Sequence, residues 1–180
     1  MKKRAYRLWE LNAANLITLC NMIFGSLSII YTVNQRYNWA IACIGFAGVA
    51  DRYDGMVARH YQTDSPLGVQ LDSLGDIISF GVAPAILAYV AQFQDLQKWP
   101  RILGAIACIL FIAAGAFRLA RFNVIGMSAD GFFTGVPIPI AGALLAISML
   151  FRRSASPYLY MLFMLLLGGL EISKLRIRKR

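Results

Sequence analysis

Charged residues are scarce in this 180-residue chain: they make up 15%, against about 25% in an ordinary soluble domain. Eighteen Lys and Arg with nine Asp and Glu cannot cover the exterior of a water-soluble globule when 58% of the residues are hydrophobic and mean hydropathy is +0.58. A soluble domain is excluded, and the apolar surface has to face lipid. Cysteine is equally thin. Cys20, Cys43 and Cys108 sit singly in apolar runs, which excludes the paired ligand spacing of a zinc site and leaves them as small core or helix-packing residues. His60 is the only histidine, and a lone histidine at an interface reads as solvated or lipid-facing rather than as a base. Ser/Gly linkers, low-complexity tracts and internal repeats are missing, which favours one membrane domain. No short apolar stretch followed by a small-residue cleavage site occurs near Met1, so a removable signal peptide is not expected and the first helix itself directs insertion.

The net charge of +9 points to nucleic acid or to an anionic membrane surface, and the composition selects the membrane; a nucleic-acid partner is not expected. A spanning helix needs about 20 mostly apolar residues. Windows of that kind lie at 16–34, 38–58, 71–92, 101–122, 134–151 and 156–172, predicting an all-α integral membrane protein with six transmembrane helices. Residues 1–14 mix Lys2, Lys3, Arg4 and Arg7 with Tyr6 and Trp9, the composition of an amphipathic helix lying in the headgroup region; a basic tail without structure is the other reading. The expected organisation is therefore an interfacial segment at 1–14, a six-helix domain at 15–173 and a basic tail at 174–180 that anchors to anionic lipid. If the six spans alternate, thirteen of the eighteen cations fall on one side, which makes that side, with both termini, cytoplasmic.

The nine acids are Glu10, Asp51, Asp54, Asp64, Asp72, Asp76, Asp95, Asp130 and Glu171, and five of them fall within residues 51–76. An Asp at the centre of a spanning helix costs roughly 2.5–3.5 kcal/mol on insertion scales, so such a cluster needs cations, water or metal to compensate it. Asp51 and Asp54 are three apart and Asp72 and Asp76 four apart, so each pair occupies one face of its helix. Two facing helices would then present four carboxylates together, a box for the hard, oxygen-seeking cations Mg²⁺ or Mn²⁺. A salt-bridge network with Arg52, Arg59, Arg118 and Arg121 is the structural alternative. Further along, Ser79 extends the stripe of Asp72 and Asp76, either toward an acceptor or bonded to its own i−4 carbonyl. Arg118 and Arg121 are three apart at an expected cytoplasmic helix end, where they would hold a substrate carboxylate or a lipid phosphate, or serve as positive-inside anchors. Asn123 is a candidate for orienting that site without sharing the face of Arg121. Gly135, Pro137 and Pro139 predict a kinked or delayed start to the fifth span, as an acceptor-pocket wall or as a plain helix start.

From Asp51 through Asp76 the acids sit in the pattern D-x2-D-G-x2-A-R-x8-G-x3-D-x3-D, formed by Asp51, Asp54, Gly55, Ala58, Arg59, Gly68, Asp72 and Asp76. This pattern resembles the signature of the CDP-alcohol phosphatidyltransferase family. The stretches 71–85, 117–123 (Phe-Arg-Leu-Ala-Arg-Phe-Asn) and 133–139 (Phe-Thr-Gly-Val-Pro-Ile-Pro) are similar to its phosphatidylserine synthase branch, and the likeness runs over roughly 12–173. Some members of that branch continue for further helices beyond the segment matching 169–173.

The resemblance implies a six-helix core, often a homodimer, that moves a phosphatidyl group from CDP-diacylglycerol to an alcohol, here L-serine, and releases CMP. Asp51, Asp54 and Asp72 would hold two divalent metals, Mg²⁺ or Mn²⁺, with Asp76 touching metal and acting as general base. Gly55, Ala58, Arg59 and Gly68 would line the CDP-diacylglycerol site, with Ser65 and the Asn15, Thr18 and Asn21 face of the first helix beside them. Ser79, Arg118, Arg121 and Asn123 are the acceptor candidates. Metal-dependent phosphoryl transfer suits such parts, because a pyrophosphate needs its charge neutralised and a hydroxyl needs a carboxylate to take its proton. Glycerol phosphate or inositol phosphate would call for more cations than Arg118 and Arg121 supply. A divalent-cation transporter would place its acids near the bilayer midplane, whereas these gather at one expected face.

Overall fold

The computed structural model describes residues 13–61, 66–125, 132–173 and 176–178, so the expected interfacial helix of 1–14 lies almost wholly outside the described residues. Six helical rods follow one another: α1 (Ala13–Val33), α2 (Tyr37–Tyr61), α3 (66–93), α4 (Lys98–Ile125), α5 (138–151) and α6 (Pro157–Ile172). Each matches one of the apolar windows. Two short strands, β1 (Phe132–Thr134) and β2 (Arg176–Arg178), pair antiparallel with Phe133 opposite Ile177. Apart from this ribbon the secondary structure of the described residues is helical, as expected, and the ribbon takes up three residues of the basic tail. Arg176-Ile177-Arg178 has the period-two alternation of a strand, but three residues are too few to read as one before the partner is known.

Among the described residues three helices, over Asn15–Val33, Leu67–Phe93 and Lys98–Val124, are long and apolar enough to cross a membrane. The chain is thus an integral membrane protein, although length and apolarity alone do not reach six spans. α2 has the length but carries Asp51, Arg52 and Asp54 in its second half, and α5 and α6 are shorter apolar helices. The fifth helix begins at Ile138 rather than near residue 134, because Gly135 takes a left-handed φ of +78° and Pro137 is extended, with ψ 137°. The turn between α1 and α2 is closed by Gln35 in the same left-handed region (φ 58°), with the Arg36 amide donating to the Tyr31 carbonyl at 2.8 Å.

Within α3 the α-helical stretch Pro66–Asp76 widens into a π-turn at Ile77–Val82, resumes as Ala83–Ala88 and widens again at Tyr89–Phe93. The Ala83 amide accordingly reaches back five residues to the Ile78 carbonyl. Pro84 follows directly and has no amide to continue the ladder, a local reason for the helix to change pitch there.

The bundle is built inside out compared with a soluble one. Large apolar side chains such as Ile109, Leu110, Leu159 and Leu166 point outward. The interior mixes small residues, among them Ala40, Ala47, Ala83, Ala88, Ala107, Ala141 and Ala146, with large ones such as Phe80, Phe93, Phe111, Leu87 and Leu145. Small residues let helix backbones approach closely where lipid supplies no hydrophobic contrast. At Gly142 of α5 an added Cβ would lie 2.7 Å from the Cα of Phe80 in α3. On α1 the inward stripe is polar: Asn15, Thr18, Asn21, Ser28 and Thr32 are all buried at helical spacing. Cys43 and Cys108 are buried as expected, with the Cys108 thiol donating to the Ala85 carbonyl, whereas Cys20 is exposed on the outer face of α1 and is no core residue.

Candidate active site

Asp51 and Asp54 lie in the second half of α2, and Asp72 and Asp76 lie in the first stretch of α3. One carboxylate oxygen from each of Asp51, Asp72 and Asp76 lies within 4.8 Å of the other two. Oxygens bound to one divalent cation at about 2.0–2.5 Å lie no more than about 5 Å apart, so this trio matches the geometry of a shared hard cation. The carboxylates of Asp51 and Asp76 are within hydrogen-bonding reach of each other, an approach that requires a shared proton or a cation between them.

The fourth acid of the predicted box behaves differently. Asp54 is buried and its carboxylate accepts a hydrogen bond from Thr18 of α1, so it stands outside the trio while its charge still acts on Asp72 and Asp76. Its Oδ2 is buried without a hydrogen-bond partner. A buried carboxylate oxygen with nothing to bind is costly, and an adjoining cation is one way to satisfy it. Three acids and an orphaned fourth thus suit a divalent-cation site, and all four residues come from the pairs recognised in the sequence.

The inward stripe of α1 closes the site from the other side. The Asn21 side-chain amide donates to Asp76 Oδ1 at 3.4 Å and packs beside Gly75. The backbone carbonyl of Asn21 accepts the Ser79 hydroxyl at 3.0 Å. Asn15 is buried on the same face. Ser79 is fully buried in this contact, an inter-helical bond that neither reading of the sequence considered. α1 comes this close because position 25 is glycine: a Cβ there would run into Ser79 Oγ and lie 2.8 Å from the Ser79 Cα.

The remaining candidates separate into two groups. Gly55 and Gly68 lie on the helices that carry the acids, whereas the side chains of Ala58 and Arg59 and the whole of Ser65 lie outside the described residues. On α4, Asn123 donates to the Ser73 hydroxyl at 2.8 Å, which ties the end of α4 to the residue next to Asp72. Arg121 reaches the Ile172 carbonyl at the end of α6, at 3.4 Å. Arg118, one turn earlier, is buried and feels the charges of both Asp76 and Glu171. Arg118 is thus buried, whereas Arg121 also reaches a carbonyl at a helix end. Glu171 is an acid to which the sequence assigns no role. It is fully buried near the end of α6, with both carboxylate oxygens lacking a hydrogen bond. Its only signal in the sequence was an acid in an otherwise apolar helix.

Comparison with known proteins agrees with this geometry. The family described as CDP-alcohol phosphatidyltransferase matches residues 11–170. Among similar proteins are those named CDP-diacylglycerol–serine O-phosphatidyltransferase in three organisms. The Helicobacter pylori protein is 36% identical over 169 residues, covering 90% of this chain and 70% of the relative. The Methanocaldococcus jannaschii protein is 36% identical over 164 residues (91% and 72%), and the Bacillus subtilis protein 35% identical over 132 residues (73% and 72%). A family match over most of the chain, relatives of this similarity and converging aspartates in a membrane-embedded bundle lead to one conclusion: the chain belongs to the CDP-alcohol phosphatidyltransferase family.

Proposed function

We propose that this protein transfers the phosphatidyl group of CDP-diacylglycerol to the hydroxyl of L-serine, giving phosphatidylserine and CMP. The observation that carries the reading is the convergence of Asp51, Asp72 and Asp76 from two helices of a membrane-embedded bundle. Serine as acceptor is supported by relatives named for that acceptor at 35–36% identity. Asp51, Asp54, Asp72 and Asp76 would together hold two divalent cations, Mg²⁺ or Mn²⁺. When bound, these neutralise the pyrophosphate and stabilise the charge that develops on the leaving CMP.

Asp76 receives the proton of the serine hydroxyl as that oxygen forms its bond to the lipid-linked phosphorus and the bond from phosphorus to the CMP oxygen breaks. Asn21 keeps the Asp76 carboxylate oriented. Gly55, Ala58, Arg59, Ser65 and Gly68, with Asn15 and Thr18 on α1, line the nucleotide side, while Arg118 meets the carboxylate of the acceptor. Arg121 and Asn123 brace that side through their bonds to α6 and α3. Ser79 acts through Asn21, to which its hydroxyl is bonded. All six helices cross the bilayer, with both termini and the site on the cytoplasmic side, the 1–14 segment in the headgroup layer and two copies forming a homodimer.

The test is CMP release by purified protein in detergent with CDP-diacylglycerol and Mg²⁺ or Mn²⁺, comparing L-serine, glycerol 3-phosphate and inositol phosphate. Serine-dependent release that Asp76→Asn abolishes is the expected result. Release only with a phosphorylated acceptor would keep the family and overturn serine.

A further inference from the structure

Glu171 is 0% exposed, carries two carboxylate oxygens without a hydrogen-bond partner, and sits in a helix of apolar residues. An acid in such a place is costly unless an opposite charge accompanies it. The packing around it provides for that. Position 115 of α4 is glycine, where a Cβ would run into the Ile138 side chain and stand 3.5 Å from Glu171 Oε1, so the carboxylate lies beside α4 one turn before Arg118. Gly135 seats the 135–137 segment over the end of α6: a Cβ there would run into the Glu171 carbonyl, and the Val136 amide donates to the Leu170 carbonyl at 3.2 Å. Glu171 is thereby sealed from solvent and turned toward α4. The cation whose charge acts on it is Arg118, which is itself buried and whose Nε has no hydrogen-bond partner.

Arg118 feels the charges of two acids, Glu171 and Asp76, together with that of Arg121. Left with Asp76 alone, a guanidinium would be drawn onto that carboxylate, occupying the group that has to accept a proton. We propose that Glu171 is a positioning residue: it holds Arg118 back from the aspartates and presents its guanidinium to the anionic group of the acceptor. The inference rests on the phosphatidyl-transfer reading given above, and it assigns a role to the one acid in the last helix that the reaction leaves unused.

The experiment is acceptor and donor saturation of CMP release by the full chain in detergent, for wild type, Glu171→Gln, Glu171→Asp, Arg118→Ala and the double variant Glu171→Gln/Arg118→Ala. Glu171→Gln is expected to raise the KM for acceptor about tenfold or more while the KM for CDP-diacylglycerol stays within about twofold. Glu171→Asp recovers part of the loss. In the Arg118→Ala background, Glu171→Gln changes acceptor KM by less than about twofold, because the residue through which it acts is gone. Arg118→Lys replaces that background if Arg118→Ala has no measurable turnover. Both KM values rising together, neither moving, or losses that multiply in the double variant would overturn the proposal. If Glu171→Gln fails to fold by thermal unfolding, Glu171→Asp decides: its acceptor KM must rise severalfold and that rise must vanish without Arg118. Should wild type release CMP with glycerol 3-phosphate and not with serine, the serine reading fails, and the same cycle run on glycerol 3-phosphate still judges Glu171.

Discussion

Replacing Gly25 by alanine puts a methyl group where α1 meets α3. The new Cβ would lie 2.8 Å from the Ser79 Cα and closer still to Ser79 Oγ. Ordinary carbon contacts are about 3.5–4.0 Å, so the helices have to part by roughly 1 Å, and trimming Ser79 cannot relieve a clash with its backbone. Overpacking of this kind costs typically 1–3 kcal/mol, and at about 2–4 °C per kcal/mol for a chain of this size Tm falls by roughly 2–12 °C. The displacement also pulls Asn21 from Asp76 and Thr18 from Asp54, because all three α1 residues share the inward face. Activity should thus fall further than stability alone requires at a temperature where the variant is folded. The control is Gly45→Ala on α2, where nothing lies within 4 Å of the added Cβ. There the helix propensity of alanine acts alone, worth up to about 1 kcal/mol in favour of the variant. The assay is thermal unfolding in detergent, followed by thiol labelling of buried Cys43 and Cys108, together with CMP release. A Gly25→Ala protein with wild-type Tm and turnover, or one no different from Gly45→Ala, would refute the close approach of α1 and α3.

Other outcomes follow from the same geometry. Chelation by EDTA is expected to reduce CMP release to background, and excess Mg²⁺ or Mn²⁺ to restore it; turnover persisting in metal-free buffer would contradict the reading of the aspartate trio. Asn21→Ala removes the 3.4 Å bond to Asp76, and the loss of about 0.5–1.5 kcal/mol predicts a roughly 2- to 10-fold fall in kcat/KM, with an unchanged value counting against an orienting role.

The parts of the molecule legible in the sequence are those set by local pattern. The helices follow apolar windows, and the spacing of Asp51, Asp54, Asp72 and Asp76 forces each pair to one helix face whatever the tertiary structure. The late start of α5 was readable from Gly135 and Pro137, because both restrict their own backbone. What escaped depends on partners distant in the chain. Asp54 turns to Thr18 of α1 rather than joining the trio, and Ser79 bonds the Asn21 carbonyl 58 residues away. No spacing rule reports either contact. The six windows read from the sequence exceed the three described helices long and apolar enough to cross a membrane, and α2 carries Asp51, Arg52 and Asp54 in its second half.

The π-turn at Ile77–Val82 begins at the residue after Asp76. Such a turn has the character of an extra residue absorbed into a helix, and it separates the angular phase of the acid-bearing stretch Pro66–Asp76 from that of the buried stretch Ala83–Ala88. The two halves of α3 can consequently satisfy different demands, one aiming carboxylates and the other fitting against α5, without a single regular screw having to serve both. Shortening the turn by one residue would restore a uniform helix and rotate one half against the other by about 100°. Either the aspartates or the apolar seam would then face the wrong neighbour. The irregularity therefore works as a joint of fixed angle, and the length of this segment is under tighter constraint than the identity of most of its side chains.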